Sequence, residues 1–465
     1  MIDGLKPYPK MKDSGLPWLG DVPNHWDVRK LRHVLEAVTQ RNRPDLPLLS
    51  VVRERGVIVR DVTDADENHN YIPDDLSNYK VVRRGQFAMN KMKAWQGSYG
   101  VSDFDGIVSP AYFVFELAGV AVNFFHLAIR SKAYIPYFNQ ASDGVRIGQW
   151  DLAQSRMREI PFAIPPEVEQ AAIVRFLDHA DRRIRRYIAA KQKLIKLLEE
   201  ERQAIIHRAV TRGLDPSVRL KPSGVEWLGD VPEHWHLVPN RAMLRKRKVL
   251  VGKRHSDYQL LSLTKAGVIV RDVASGRGKF SADMGTSQEV RPGDLVFCLF
   301  DVPETPRTVG LSNHHGMITG AYTVFECHDK LLASFIEAFY IAMDDRKLLS
   351  PLYSGLRNTI PPSTFLGVKT PVPPPAEQAA IIRFLDEATS SLRAAIDRAR
   401  REIDLLREYR VGLIADIVTG KLDVREAAAK LPDATPEVEL LDEVGELPHD
   451  EESVEAGELE AEDAA

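Results

Sequence analysis

Apolar residues along the chain fall into two regimes. Short β-branched runs, Gly56–Val62, Tyr112–Phe115 and Asp294–Phe297, read as strands. Helical periodicity follows the last strand of each set, at Asn123–Lys132 and Ala333–Lys347. The second regime is a pair of long stripes with a seven-residue beat. Counted from Ile173, the first heptad positions are Ile173, Ala180, Tyr187, Leu194 and Glu201, and the fourth are Leu177, Ile184, Lys191, Leu198 and Ile205. Counted from Ile381, they are Ile381, Ala388, Ala395, Glu402 and Tyr409, then Leu385, Leu392, Ala399, Leu406 and Leu413. Each stripe opens after a Pro-Pro segment, which ends the extended chain and presets the first helical turn. The spacing predicts two helices of about 40 residues, roughly 60 Å long at 1.5 Å per residue. A helix of that length cannot bury its stripe alone. The shared register favours an antiparallel pair in which Ile173, Leu177, Ile184 and Leu198 pack against Ile381, Leu385, Leu392 and Leu406. Packing of each stripe on its own domain is the alternative.

The matched register is one part of a larger repeat, since one half of the chain returns about 208–212 residues later in the same order. SGLPWLGDVPNHW (Ser14 to Trp26) returns as SGVEWLGDVPEHW (Ser223 to Trp235). LLSVVRERGVIVRDV (Leu48 to Val62) returns as LLSLTKAGVIVRDV (Leu260 to Val273), and GIVSPAYFVFE (Gly106 to Glu116) as GMITGAYTVFE (Gly316 to Glu326). IPPEVEQAAIVRFLD (Ile164 to Asp178) returns as PPPAEQAAIIRFLD (Pro373 to Asp386), and VTRGLD (Val210 to Asp215) as VTGKLD (Val418 to Asp423). A domain-sized period marks a duplication rather than a solenoid. The expected fold class is α+β: two similar globular domains separated by an antiparallel pair of long coiled-coil helices, with pseudo-two-fold symmetry. The expected segments are 1–165 and 214–372 for the domains, 166–213 and 373–425 for the helices, and 426–465 for an acidic, disordered tail.

Charge changes the picture once it is divided along the chain. The net value of −4 averages two unlike parts. Residues 431–465 hold 14 Asp and Glu and no Lys or Arg, which leaves 52 acids against 62 bases in the rest, about +10. A basic body suits a polyanionic partner. Cys298 and Cys327 are the only cysteines, and no secretory signal precedes them, so the expected setting is a reducing cytoplasm without disulfides. No run of 18 apolar residues occurs, and no membrane span is expected.

Catalytic and metal-binding signatures are missing. There is no Walker A sequence, no G-x-G-x-x-G, no N-P-P-Y or D-P-P-Y, no H-E-x-x-H and no paired C-x-x-C. Asp345-Arg346-Lys347 matches the end of a nuclease motif but lacks an upstream Pro-Asp partner. His314 and His315 are adjacent, so they cannot share one face of a strand as metal ligands. No catalytic residue, no metal and no bound cofactor is expected of this chain.

Two variable domains, each followed by a helix that opens with PP-x(1–2)-EQ-x-x-I and closes at V-T-x-x-L-D, resemble the specificity subunits of type I restriction-modification systems. MNKMKAWQGSYG (Met89 to Gly100) and GVRIGQW (Gly144 to Trp150) are similar to that family's target-recognition domains. The likeness covers about 1–425 and excludes the acidic tail. It implies a subunit that reads double-stranded DNA, one half of an asymmetric bipartite target per domain, with the helices as a ruler. It also implies docking to two modification (methyltransferase) subunits and assembly with motor/nuclease restriction subunits. S-adenosylmethionine, ATP and magnesium then belong to those partners. One turn of B-DNA is about 34 Å, so helices of the expected length suit readers one to two turns apart.

Base reading needs donors and acceptors on loops. In the first domain the richest loop runs from Asn90 to Tyr99. Lys91 and Lys93 suit phosphates, and Gln96 and Ser98 suit base edges. Trp95 is suited to sugar, a thymine methyl or base flipping, or else to half-burial in its own domain. Arg146 and Gln149 form a second candidate pair, matched in the repeat by Arg357 and Asn358, with structural ion pairing as the alternative for the arginines. In the second domain the candidates are Arg307, Thr308, Asn313 and His314, with Lys265, and Arg254 and His255 as phosphate contacts. Trp18, Trp26, Trp227 and Trp235 read as packing residues. Arg182, Arg183, Arg185 and Arg186 are either a solvated helix face or a contact for DNA or a modification subunit. Three other functions stay open: a specificity subunit of a related system cutting on both sides of its target, a structural adaptor that does not itself read DNA, and an enzyme such as a bifunctional nuclease, against which the missing motifs argue.

Overall fold

The structure is a computed structural model that describes residues 5–432, apart from 18, 54, 62–71, 74, 147–148, 272–283 and 306. Two compact units are present. One comprises Met1–Lys191 and Glu402–Ala465, the other Gln192–Arg401. Among the described residues the α-helices are α1 (Val122–Ile129), α2 (Ile135–Gln140), α3 (Gln154–Met157), α4 (Glu167–Arg212), α5 (Lys330–Asp345), α6 (Pro362–Gly367), α7 (Pro375–Val418) and α8 (Arg425–Ala429). Each long helix, α4 and α7, therefore gives one half to each unit. The class is α+β, two similar mixed domains with an antiparallel pair of long helices.

The two units repeat one topology. In the first, an antiparallel sheet runs Leu35–Ala37, Tyr112–Leu117, Phe87–Asn90, Tyr99–Val101. In the second, the order Arg245–Lys246, Thr323–Glu326, Leu295–Phe297, Val309–Leu311 is the same. Aromatic side chains fill both cores. Phe87 meets Phe125 edge-on at 5.1 Å, and Phe297 meets Tyr340 at 5.4 Å and Phe365 at 4.6 Å. The LLS…GVIV blocks form hairpins, Leu49–Val52 with Gly56–Val59 and Gln259–Thr264 with Gly267–Val270. They approach the backbone of the next block so closely that a side chain does not fit there. A Cβ on Gly106 would lie 2.5 Å from Leu49 Cγ, and one on Gly316 2.5 Å from the Gln259 carbonyl. This is why both copies of the G-[IM]-[VI] block begin with glycine.

The Pro-Pro-x(1–2)-Glu-Gln openings of α4 and α7 have a physical explanation. Gln170 is buried, donates to the Pro165 carbonyl at 2.8 Å and accepts from the Ala121 N–H at 2.8 Å. Gln378 makes the same bond to Pro373 at 2.8 Å. Glu169 is buried and collects three donors: the Tyr8 hydroxyl at 2.5 Å, Trp26 Nε1 at 2.8 Å and His25 Nε2 at 2.7 Å. Among the described residues its counterpart Glu377 meets His234 alone, at 2.8 Å, and Trp235 Nε1 is buried without a partner. Trp26 and Trp235 are fully buried and Trp227 is half-buried against the second core, while Trp18 lies outside the described residues.

Both units show the helices antiparallel. In the first, Ile173, Leu177 and Ala180 near the start of α4 share a core with Leu413, Ile417 and Val418 at the end of α7. In the second, Ile206, Ala209 and Val210 at the end of α4 share a core with Ile381 and Leu385 at the start of α7. Asp181 pairs with Arg410, Lys191 with Glu402 at 2.6 Å, and Glu199 with Arg400 at 3.0 Å. The first turns of each stripe thus serve a domain core and the other helix at once.

Some of the expected heptad positions are displaced by one residue. The fourth-position series holds: Leu177, Ile184 and Leu385 are buried, and Leu198, Leu392 and Leu406 are half-buried. The first-position series holds at Ile173, Ala180 and Ile381 and then departs. Tyr187 and Leu194 are exposed, whereas Ile188 and Ile195 turn inward. On α7 the buried residues are Thr389, Ile396 and Ile403. Both helices contain two consecutive four-residue steps, 180–184–188 and 381–385–389. A straight α-helix drifts by about 20° per heptad against a strict 3.5 repeat, and the double step absorbs that drift.

Candidate nucleic-acid interface

In each domain, two segments far apart in sequence meet at the end of the central sheet. In the first domain, the loop after Phe87–Asn90 folds through a short 3-10 turn, Ala94–Gln96, capped by Gly97 at φ 97°. It rests on the antiparallel hairpin of Ser142–Arg146 with Gln149–Leu152. The Leu152 N–H donates to the Lys91 carbonyl at 3.0 Å, Lys91 Nζ pairs with Asp151 at 3.1 Å, and Trp95 stacks on Trp150 at 5.3 Å. Asn90 Nδ2 donates to the Tyr112 hydroxyl at 3.1 Å, and its Oδ1 accepts from the Met92 N–H.

The second domain makes the same junction from different residues. The loop from Cys298 to Thr308 meets the turn closed by the Ser354–Thr359 bridge. The Asp301 N–H donates to the Arg357 carbonyl at 2.9 Å and the Ile360 N–H to the Leu299 carbonyl at 2.8 Å. Arg357 Nε donates to Asp301 Oδ1 at 3.1 Å, and the guanidinium lies 5.5 Å from the centre of the Phe300 ring. This ion pair holds the Asp301 carboxyl below its ordinary range. Asn358 adopts φ 43°, and Leu356 beside it is wholly exposed.

The expected contact residues divide accordingly. Lys93 is exposed at the first junction, with Lys91, Trp95 and Gln96 partly covered. Ser98 and Thr308 are interior, at 2% and 0% exposure, and present no surface to a ligand. Each follows its loop where the chain re-enters the sheet. The side chains of Arg146 and Gln149 lie outside the described residues. Arg357 and Asn358 stand at the second junction. Arg307 does not. Its side chain is largely covered and pairs with Asp345 at 3.3 Å, while the Thr308 N–H donates to Asp344 at 2.9 Å. Asn313 and His314 lie beyond the far end of Val309–Leu311, away from Arg357. Arg254 and His255 lie in a 3-10 turn, Gly252–Asp257. Sequence reasoning missed Trp150, Asp151, Phe300, Asp301 and Leu356. Only Trp150, inside the GVRIGQW block, carried a signal.

In each unit a cavity lies between the helix after the sheet and the start of the next long helix. In the second unit it measures about 640 Å³ and is walled by Lys265, Arg307, Glu337, Asp345, Asp386 and Arg393, among others. Burial raises the Glu337 and Asp345 carboxyls above their ordinary range. The smaller cavity of the first unit, about 280 Å³, is walled by Arg84, Asp103, His126 and Asp178, among others. Burial, with Arg130 nearby, pushes His126 down to about 4, so the ring is neutral and its Nδ1 accepts from the Val101 N–H at 3.2 Å. Glu337 Oε1 does the same for the Leu311 N–H at 2.7 Å. Among the described residues no group of three or more His, Cys, Asp or Glu side chains is arranged to hold a metal, and no helix is long and apolar enough to cross a membrane.

Against curated proteins, the chain is 19% identical over 437 residues to the MjaX type I restriction enzyme specificity subunit assigned in Methanocaldococcus jannaschii, covering 88% of this chain and 96% of that one. The chain belongs with the type I restriction specificity subunits. The EcoKI specificity subunit of Escherichia coli K12 is 26% identical over 216 residues, 42% of this chain and 44% of that one. A chain from a solved structure on complex assembly and conformational transition of the type I R-M system superimposes with a TM-score of 0.60 at 15% identity, over 86% of this chain and 99% of the other, a likeness of fold. No family model matches the chain. Within this specificity subunit, what the two domains share is their sheet order and helix openings, and what they do not share is the chemistry of the two junctions.

Proposed function

We propose that the chain reads an asymmetric, bipartite double-stranded DNA target, one half-site per domain. It does so as the specificity subunit of a type I restriction-modification complex, and it docks two modification subunits. The observation that carries this reading is the divergence of the two junctions on a repeated scaffold. Lys91, Lys93, Trp95 and Gln96 beside Trp150 offer one set of donors and stacking surfaces. Arg357, Asn358 and the exposed Leu356 beside Asp301 offer another. A single chain with two unlike readers needs no palindrome, unlike a homodimer. Lysine and arginine at these loops suit phosphate and guanine, and leucine suits a thymine methyl. The paired helices then set the interval between the half-sites. Methyl transfer, translocation and cleavage, with S-adenosylmethionine, ATP and magnesium, belong to the modification and motor/nuclease subunits.

The test is a domain exchange. Residues 223–372 are replaced by the corresponding segment of another specificity subunit, the hybrid is co-expressed with its modification subunits, and methylated bases are mapped across the host genome. One half of the recognised motif changes and the other is retained. If both halves change together, the two-reader assignment fails. Absence of salt-dependent binding of the assembled complex to duplex DNA would leave a protein adaptor instead.

A further inference from the structure

The arginine cluster of α4 is a strongly charged surface that the junctions do not explain. Arg182, Arg183, Arg185 and Arg186 are all exposed. Arg182 and Arg186 share a face with Arg175, being seven and eleven residues on, so the stripe runs about 16 Å at 1.5 Å per residue. From Arg182 to Leu198 the helix carries seven Lys and Arg and no Asp or Glu. Arg185 is paired with Asp181 at 2.7 Å, and Arg183 lies over the Tyr187 ring.

Two further observations bear on what covers this face. First, the chain leaves the described structure there: Arg175 Nη2 donates to the Leu431 carbonyl at 2.7 Å and to the Pro432 carbonyl at 3.2 Å. Residues 433–465 follow, with 14 Asp and Glu and no Lys or Arg. Second, the cluster is only partly in the repeat: Arg175 and Arg185 return as Arg383 and Arg393. The positions on α7 that correspond to Arg182, Arg183 and Arg186 are Ser390, Ser391 and Ala394. A generic scaffold feature would keep all of them. Arg182, Arg183 and Arg186 stand only on the copy beside which the acidic segment begins.

We infer that residues 433–465 dock on the Arg175–Arg186 face of α4 as an internal polyanion. Reach is no obstacle. Thirty-three residues can span up to about 110 Å when extended, several times the length of the stripe. Tethering supplies an effective concentration on the order of millimolar, so a weak electrostatic contact suffices. Carboxylates on guanidinium groups form charge-assisted hydrogen bonds, and the contact weakens with salt. The segment then competes with other polyanions for this helix. That competition rests on the DNA-reading assignment, whereas the docking does not.

The test uses the protein truncated after Pro432, which keeps every described residue, and a fluorescent synthetic peptide of residues 433–465. Anisotropy shows saturable binding at low salt. Affinity falls at least tenfold when Arg182→Ser, Arg183→Ser and Arg186→Ala are introduced together, the residues that α7 itself carries. It falls likewise on raising salt to about 0.5 M. Equal affinity for the substituted and unsubstituted proteins, or no saturable binding to either, overturns the inference. Removal of residues 433–465 also raises affinity for non-target duplex DNA at low salt, and an unchanged affinity excludes the competition. If neither form binds DNA while the peptide still binds, the DNA-reading assignment falls and the docking stands.

Discussion

The two domains of this specificity subunit share a backbone plan and differ in how that plan is held together. Glu169 gathers Tyr8, Trp26 and His25, whereas the equivalent Glu377 holds only His234 among the described residues. Val101 and Leu311 occupy the same strand position, yet one N–H is met by a neutral histidine and the other by a glutamate. Repetition therefore conserves where a polar group is needed and leaves open which group supplies it. The same freedom applies at the junctions, where it is suited to reading two different sequences.

The largest test of this comparison is at the helix openings. Glu169→Ala leaves a buried tyrosine and tryptophan without their acceptor and costs about 3–5 kcal/mol, whereas Glu377→Ala costs about 1 kcal/mol. Urea unfolding checks this, and equal losses would mean that the two anchors are equivalent. Next comes the helix seam. Ile403→Ala empties a buried position and costs about 2–4 kcal/mol, while Leu405→Ala, at an exposed site, costs under about 0.5 kcal/mol. The reverse order would restore the strict heptad.

The two strand acceptors give opposite responses to pH. His126 has a folded value of about 4 against an ordinary 6.5, so its contribution is lost as pH falls through that window. Burial raises Glu337, so its contribution is present at low pH and is lost as pH rises above the ordinary glutamate value. His126→Gln flattens the acid side of the stability profile and Glu337→Gln the other side, as read by thermal unfolding across pH. Matching changes in both variants would contradict the assigned charge states. The smallest effect on stability is at the second junction. Arg357→Ala removes an exposed ion pair and leaves the unfolding curve almost unchanged, yet it weakens target binding by the assembled complex about tenfold. Unaltered affinity, measured beside a stability curve, would remove Arg357 from the reading surface.

The duplication, the two long helices and their antiparallel sense were legible in the sequence, because local periodicity and repeated blocks are properties of adjacent residues. The first positions in the middle of the stripes were not, since helical drift accumulates and moves the seam from Tyr187 to Ile188 and from Glu402 to Ile403. At the junctions, the loop positions were legible through composition, but their partners were not. Arg357 finds Asp301 across 56 residues, and Trp95 finds Trp150 across a whole sheet and two helices. Composition also could not separate Lys93, which faces solvent, from Ser98 and Thr308, which enter the sheet.

One contact in the first unit bears on how the molecule is made. The Asp423 N–H donates to the Lys6 carbonyl, joining the end of α7 to the segment leading into Met11–Asp13. In the second unit the corresponding step, from the end of α4 to Leu220–Pro222, is continuous chain. The second unit is thus one uninterrupted stretch, while the first needs residues 402–424 to reach back to residues translated hundreds of codons earlier. On a ribosome, where domains mature as their residues emerge, the half that is begun first is completed last.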